Sequence, residues 1–143
     1  MTTLRDYIKR READLILIRG LPGSGKSTYA KKHFPSHLHI ESDQFFMKNG
    51  KYEFDINKLK TNHKRCFLKV KKALERGKKV VVSNTFTTKK EIQSYLDLAE
   101  SLEKNVKVLR MEAQYQNQHD VPEEIIKSMK SRFQNIDGEE RVR

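Results

Sequence analysis

A chain of 143 residues carrying 30 Lys and Arg against 19 Asp and Glu has a formal charge of +11, with length for one sizeable core and too little for two enzyme domains. Its single cysteine, Cys66, excludes an intrachain disulfide or a cysteine zinc cluster. The longest apolar run, Leu15 to Ile18, is far below the roughly 20 residues that span a bilayer. The charged stretch from Met1 to Asp14 lacks the apolar core of a signal peptide, so the expectation is a cytoplasmic protein with no membrane contact.

Residues 1–13 read as a charged helical extension, 14–136 as the folded domain and 137–143 as a flexible tail. Leu15 to Arg19 is a short apolar, β-compatible run, the pattern of a strand covered on both faces. Gly20 to Gly25 interrupts it, and Lys26 to His33 continues as a helix that Pro35 closes. His37 to Ile40 predicts a second strand, ending in Glu41-Ser42-Asp43. Between Asn57 and Arg76, Leu59, Cys66, Phe67, Val70 and Leu74 form one stripe of a long helix, with Gly77 as its stop. Val80 to Val82 predicts a third strand, and Thr88 to Glu91 has the spacing of a capping box. The helix opened there carries Ile92, Tyr95, Leu96, Ala99 and Leu102 on one face. Val106 to Leu109 predicts a fourth strand, and Pro122 starts a last helix burying Ile125, Ile126, Met129 and Phe133. Strand, loop and helix repeated in this order specify an α/β fold, a parallel sheet of about four strands with helices on both faces.

Gly20-Leu21-Pro22-Gly23-Ser24-Gly25-Lys26-Ser27 matches G-x-x-x-x-G-K-[ST] and stands between a strand and a helix, where that motif binds phosphate. The fold is therefore expected to be that of a P-loop NTPase. The glycines let backbone N–H groups converge on a polyphosphate, and the free amides of the helix N-terminus add partial positive charge. Gly20 to Ser27, with Thr28 after them, are the candidate nucleotide-binding residues. Lys26 suits the β- and γ-phosphates and Ser27 the Mg²⁺ ion. The competing reading is a glycine-rich turn that happens to end in a lysine.

Three segments together carry a resemblance: this loop, Ser42-Asp43-Gln44-Phe45-Phe46 after the second strand, and Val80-Val81-Val82-Ser83-Asn84-Thr85 at the third. They resemble the phage-type polynucleotide 5′-hydroxyl kinases and their AAA-like ATP-binding relatives. The cellular branch of that family, the kinase-like domain of the NEDD4-binding protein 2 type, also has lookalikes of Gly50-Lys51-Tyr52-Glu53-Phe54-Asp55 and His63. The resemblance implies ATP as phosphoryl donor, Mg²⁺, and transfer of the γ-phosphoryl to a 5′-hydroxyl of a polynucleotide or nucleotide. It implies Asp43 as catalytic base, with Lys26 as catalytic cation. A carboxylate at the end of a strand beside the phosphate loop is also where an in-line acceptor would sit, and that placement outweighs the competing reading of Asp43 as a helix cap over Phe45-Phe46-Met47.

Two departures from the family pattern stand out. The family places an aspartate at the position of Ser83 or Asn84, and Phe86 replaces a second asparagine. In the lid, Gln116 stands where the family has an arginine, an effect on the order of a thousandfold in rate where such a charge meets the transferred phosphoryl. Lys127, Lys130 or Arg132 could substitute for that charge or a partner could supply it, and Glu41 or Glu112 could replace the lost carboxylate. Two other readings therefore remain open: a catalytically degenerate nucleotide-binding module acting through nucleic-acid or protein binding, and a small-molecule kinase.

Between Lys58 and Lys79 ten basic residues face Glu75 alone, which places nine of the eleven net charges there. Such a run suits a nucleic-acid backbone or is simply a solvated helix face. The five histidines show no metal-ligand spacing, and Cys66 reads as a small core residue. Phe45 or Phe46 could stack an acceptor base and Tyr115 an adenine, or each could be a packing residue.

Overall fold

The computed structural model of the protein describes residues 3–4, 13–42, 47–53, 55–113 and 121–143. The first apolar run forms β1 (Leu15–Arg19), and the phosphate-loop sequence leads into α1 (Lys26–His33) and then β2 (Leu38–Ile40). A small antiparallel pair follows, β3 (Met47–Lys48) and β4 (Lys51–Tyr52), and then a 3-10 turn at Ile56–Lys58. The long helix is α2 (Leu59–Glu75), and β5 (Val80–Asn84), α3 (Lys89–Ser101), β6 (Val106–Met111), α4 (Glu123–Arg132) and β7 (Glu140–Val142) complete the chain.

Strands β2, β5, β1, β6 and β7 lie in that order in one sheet with every pairing parallel. Alternation along β1 divides the core. Leu15 and Leu17 pack under α2 and α3 with Cys66, Val70, Leu74, Ile92 and Tyr95, while Ile16 and Ile18 meet Ala30 and Phe34 of the α1 segment. The fold is the expected α/β P-loop architecture with helices on both faces, and it has five strands in its main sheet instead of about four.

The fifth strand comes from residues 137–143, which the sequence reading takes as a flexible tail. Leu109, Arg110 and Met111 pair with Glu140, Arg141 and Val142. An edge strand needs only one covered flank, so its sequence need not be apolar. The β3–β4 connection is the other addition: Asn49 and Gly50 both have positive φ, 52° and 79°, as a two-residue hairpin of mirror-image turn requires.

Several ends are set by local chemistry. The Thr88 side chain accepts from the Glu91 N–H and the Glu91 carboxylate from the Thr88 N–H, closing the capping box. At the other end of α2, Gly77 (φ 77°) donates to Leu74 O and Lys78 donates to Ala73 O, 2.9 and 3.0 Å, the paired bonds that satisfy the last carbonyls of a helix. The expected N-terminal helix lies mostly outside the described residues, with Leu4 exposed. Among the described residues, no helix is long and apolar enough to cross a membrane.

Candidate nucleotide-binding site

The loop from Gly20 to Gly25 is shaped by its glycines. Gly20 N–H donates to Thr85 O at 3.2 Å, and a Cβ at this position would collide with Ser24 Oγ and press on Met111 O at 3.0 Å. Gly23 and Gly25 adopt φ of 84° and 85°, a left-handed backbone that side chains disfavour. Gly25 caps α1 with no side-chain hydrogen bond, and no acidic residue stands in the first turn. The helix thus presents amides and the positive end of its dipole without a resident anion. Ser24 Oγ is buried with no hydrogen-bond partner. Lys26 Nζ donates back to Leu21 O at 3.0 Å, so its ammonium lies over the loop. Ser27 is half-buried and Thr28 exposed. A backbone cradle, an orphan hydroxyl and a poised ammonium fit a polyphosphate.

At the carboxyl end of β5 the two uncharged replacements have different surroundings. Asn84 Oδ1 accepts from both the N–H and the hydroxyl of Ser42, at 2.8 and 2.9 Å, and its Nδ2 lies 3.5 Å from Cys66 Sγ. Both lone pairs of the amide oxygen are thereby committed, so Asn84 fixes the β2 exit instead of holding a metal-bound water. Ser83 points to the opposite face, its Oγ 2.8 Å from His39 Nε2, which also lies 3.3 Å from Glu41 Oε2. Hard oxygen donors suited to Mg²⁺ are therefore Ser27, Ser83 and Glu41. Among the described residues, no group of three or more His, Cys, Asp and Glu is placed to hold a metal.

Burial pushes the Cys66 thiol and the neighbouring Tyr95 phenol above their ordinary pKa ranges. Both stay neutral at physiological pH, and Cys66 is the core residue that its spacing suggests. Ser42 is the last described residue before Asp43. Asp43, Phe45 and Phe46 lie outside the described residues, as do Tyr115 and Gln116.

Sequence reasoning missed Arg19, the residue immediately before the loop. It is 0% exposed. Its Nε and Nη2 donate to Phe86 O at 3.0 and 2.7 Å, and its Nη1 pairs with Glu139 at 2.7 Å. The guanidinium stacks over the Phe133 ring at 4.1 Å, and Arg110 covers the same ring at 4.7 Å while lying 3.4 Å from Glu139. Burial lowers the Arg19 pKa against the raising effect of Glu139. Burial also opposes the Glu139 charge, but the Ile136 N–H and the Arg19 and Arg110 guanidinium groups outweigh it and hold the carboxyl below its ordinary value. A charged residue closing an apolar strand offers little hint of a partner 120 residues away.

All ten basic residues from Lys58 to Lys79 are solvent-exposed. Lys127, Lys130 and Arg132 are exposed on α4, and Arg132 Nε donates to Ser128 O of its own helix at 3.2 Å.

The profile of the AAA domain family (AAA_33) matches residues 15–136. The chain is 34% identical over 90 residues to NEDD4-binding protein 2 of Homo sapiens, covering 60% of this chain and 5% of that protein. It is 26% identical over 141 residues to the bifunctional polynucleotide phosphatase/kinase of Schizosaccharomyces pombe, covering 90% of this chain and 31% of that enzyme. It thus spans less than a third of either relative. A gluconokinase from Sinorhizobium meliloti 1021 has a similar fold, with a TM-score of 0.63 at 15% identity, covering 93% of this chain and 83% of that one. The chain belongs to the AAA domain family and has a P-loop kinase-like fold, with NEDD4-binding protein 2 and a polynucleotide phosphatase/kinase among its homologues.

Proposed function

We propose that the chain binds ATP with Mg²⁺ and transfers the γ-phosphoryl group to the 5′-hydroxyl of a polynucleotide or nucleotide. The observation that carries this reading is the loop: left-handed glycines at 23 and 25 open an uncapped helix, with Lys26 Nζ folded over the cradle. ATP, when bound, supplies a phosphoryl group already polarised by its metal ion. The loop from Gly20 to Thr28 would hold the phosphates through those backbone amides that remain free, which leaves out Pro22, with no N–H, and Gly20, whose N–H is taken by Thr85 O. Lys26 exchanges Leu21 O for phosphate oxygens and offsets the charge that grows on the leaving group. Asp43 takes the proton of the attacking hydroxyl as the new phosphorus–oxygen bond forms and the bond to ADP breaks. The residue before it, Ser42, has both its N–H and its hydroxyl anchored to Asn84.

The acceptor class rests on similarity to a polynucleotide phosphatase/kinase and on the exposed cations of the Lys58 to Lys79 region. These would contact a phosphate backbone and release its counterions, at a slope of about −0.7 in log K against log salt for each single-strand phosphate neutralised. A second reading is a binding module without efficient turnover, favoured by the missing carboxylate at the end of β5. Labelled ATP incubated with a 5′-hydroxyl oligonucleotide, a mononucleoside or no acceptor distinguishes the readings. Label on the oligonucleotide, lost in Asp43→Ala and Lys26→Ala, is the expected result. Tight ATP binding without turnover on any acceptor would overturn the kinase reading and favour the module.

A further inference from the structure

Two carboxylates stand just beyond strands on either side of β1, one after its neighbour β6 and one after β2, which lies beyond β5. Glu112, after β6, is held at the far edge of the sheet by Arg141 Nη1 and Arg143 Nε, both at 3.3 Å. Glu41, after β2, is differently placed. One nitrogen, His39 Nε2, lies 3.3 Å from its Oε2 and 2.8 Å from Ser83 Oγ, so carboxylate and hydroxyl share one neighbour. The side chains of His39 and Glu41 are each 16% exposed, which confines the carboxylate without removing it from solvent.

Alternation along β5 decides the face. Val81 packs with Ala30 and Phe34 beneath α1, and Ser83, two residues on, points to the same side. Ser27 precedes the buried Ala30 by three residues and shares its helix face. The Ser27 and Ser83 hydroxyls and the Glu41 carboxylate therefore lie on the same side of the sheet, in the first turn of α1 and at the carboxyl ends of β5 and β2. Two neutral oxygens and one anionic oxygen make a donor set for a hard divalent cation that keeps several of its waters.

We propose that Glu41 is the carboxylate that anchors the Mg²⁺ ion accompanying a bound nucleoside triphosphate, in the role that Ser83 and Asn84 have no charge to fill. The proposal rests on the nucleotide-binding reading but not on phosphoryl transfer. Its test is calorimetric titration of ATP into the full chain, first in EDTA and then across a series of free Mg²⁺ concentrations. Glu41→Gln should bind ATP in EDTA as the wild type does, while the Mg²⁺ concentration giving half the metal-dependent gain in affinity rises about tenfold or more. Adding Ser83→Asp to Glu41→Gln should move that midpoint back, and Glu112→Gln should leave it in place.

An unchanged midpoint in Glu41→Gln overturns the proposal while leaving nucleotide binding intact. Wild-type protein that binds no ATP with or without metal overturns the nucleotide reading and this proposal together. Should Glu41→Gln fail to fold, Glu41→Asp keeps the charge one methylene shorter. It should give an intermediate midpoint, and a wild-type midpoint there counts against the proposal.

Discussion

Arg19 and Ser83 stand one residue apart in the register of two paired strands and face opposite sides of the sheet. Arg19 is the larger and the charged one, and it is wholly enclosed: all three guanidinium nitrogens donate to Phe86, Thr87 or Glu139, with the Phe133 ring against its face. Ser83 is neutral, and its partner His39 also touches a partly exposed carboxylate. The charge that immediately precedes the phosphate loop is thus committed to architecture, while the small Ser83 on the other face shares its His39 partner with a partly exposed carboxylate. A buried charge costs too much to leave adjustable once its partners are in place, so proximity to a site is a poor guide to a role in it.

The comparison breaks most severely at Arg19. Arg19→Met strips Glu139 of its closest cation and should lower unfolding free energy by about 3 kcal/mol, the low end for a broken buried pair, because Arg110 still faces the carboxylate. Denaturant unfolding would measure the loss, and adding Glu139→Leu should recover part of it. The pH dependence shifts in the same experiment. Glu139 has a folded pKa below its unfolded value, so its contribution is complete above the ordinary carboxylate range and is lost as pH falls through the lowered value. In Arg19→Met that acid-side loss of stability becomes shallower; a wild-type slope would show that Arg19 does not hold the Glu139 charge.

A smaller effect is expected on the same face at Asn84. Asn84→Leu leaves the N–H and hydroxyl of Ser42 without their acceptor and should cost about 1–3 kcal/mol, with faster hydrogen exchange at the Ser42 amide. Asn84→Asp retains the accepting oxygens and should cost less. The smallest effect belongs to Ser83: Ser83→Ala removes one hydrogen bond from a His39 that keeps Glu41 and should cost about 0.5–1 kcal/mol. A loss at Ser83 as large as that at Arg19 would erase the distinction between the two faces.

Sequence reading succeeds where a residue's local conformation is its purpose. Gly23 and Gly25 are legible because the loop needs left-handed backbone, Thr88 and Glu91 because a helix start needs reciprocal caps, and Gly77 because a helix end needs a positive φ. It fails where a residue's meaning lies in a distant partner. Arg19 gains its role from Glu139, and β7, written Glu-Arg-Val, gains its strand from the ladder that β6 offers. The Asn49-Gly50 hairpin was within reach, since that dipeptide is a strong turn signal, but two-residue strands of mixed polarity give no periodicity to flank it. For the site, the loop is readable from eight consecutive residues, whereas the pairing of Ser83 with His39 depends on strand order that no local pattern encodes.

The link between Arg19 and Glu139 also bears on how the molecule is made. At roughly 5–20 residues per second a ribosome needs on the order of ten seconds to travel from one to the other, a gap of 120 residues. Throughout that interval the guanidinium at the root of the phosphate loop lacks its counterion and has reason to stay in water. The central strand can collapse early on its apolar residues, but its last position must wait, so nascent chains would carry an unfinished loop until the final strand arrives.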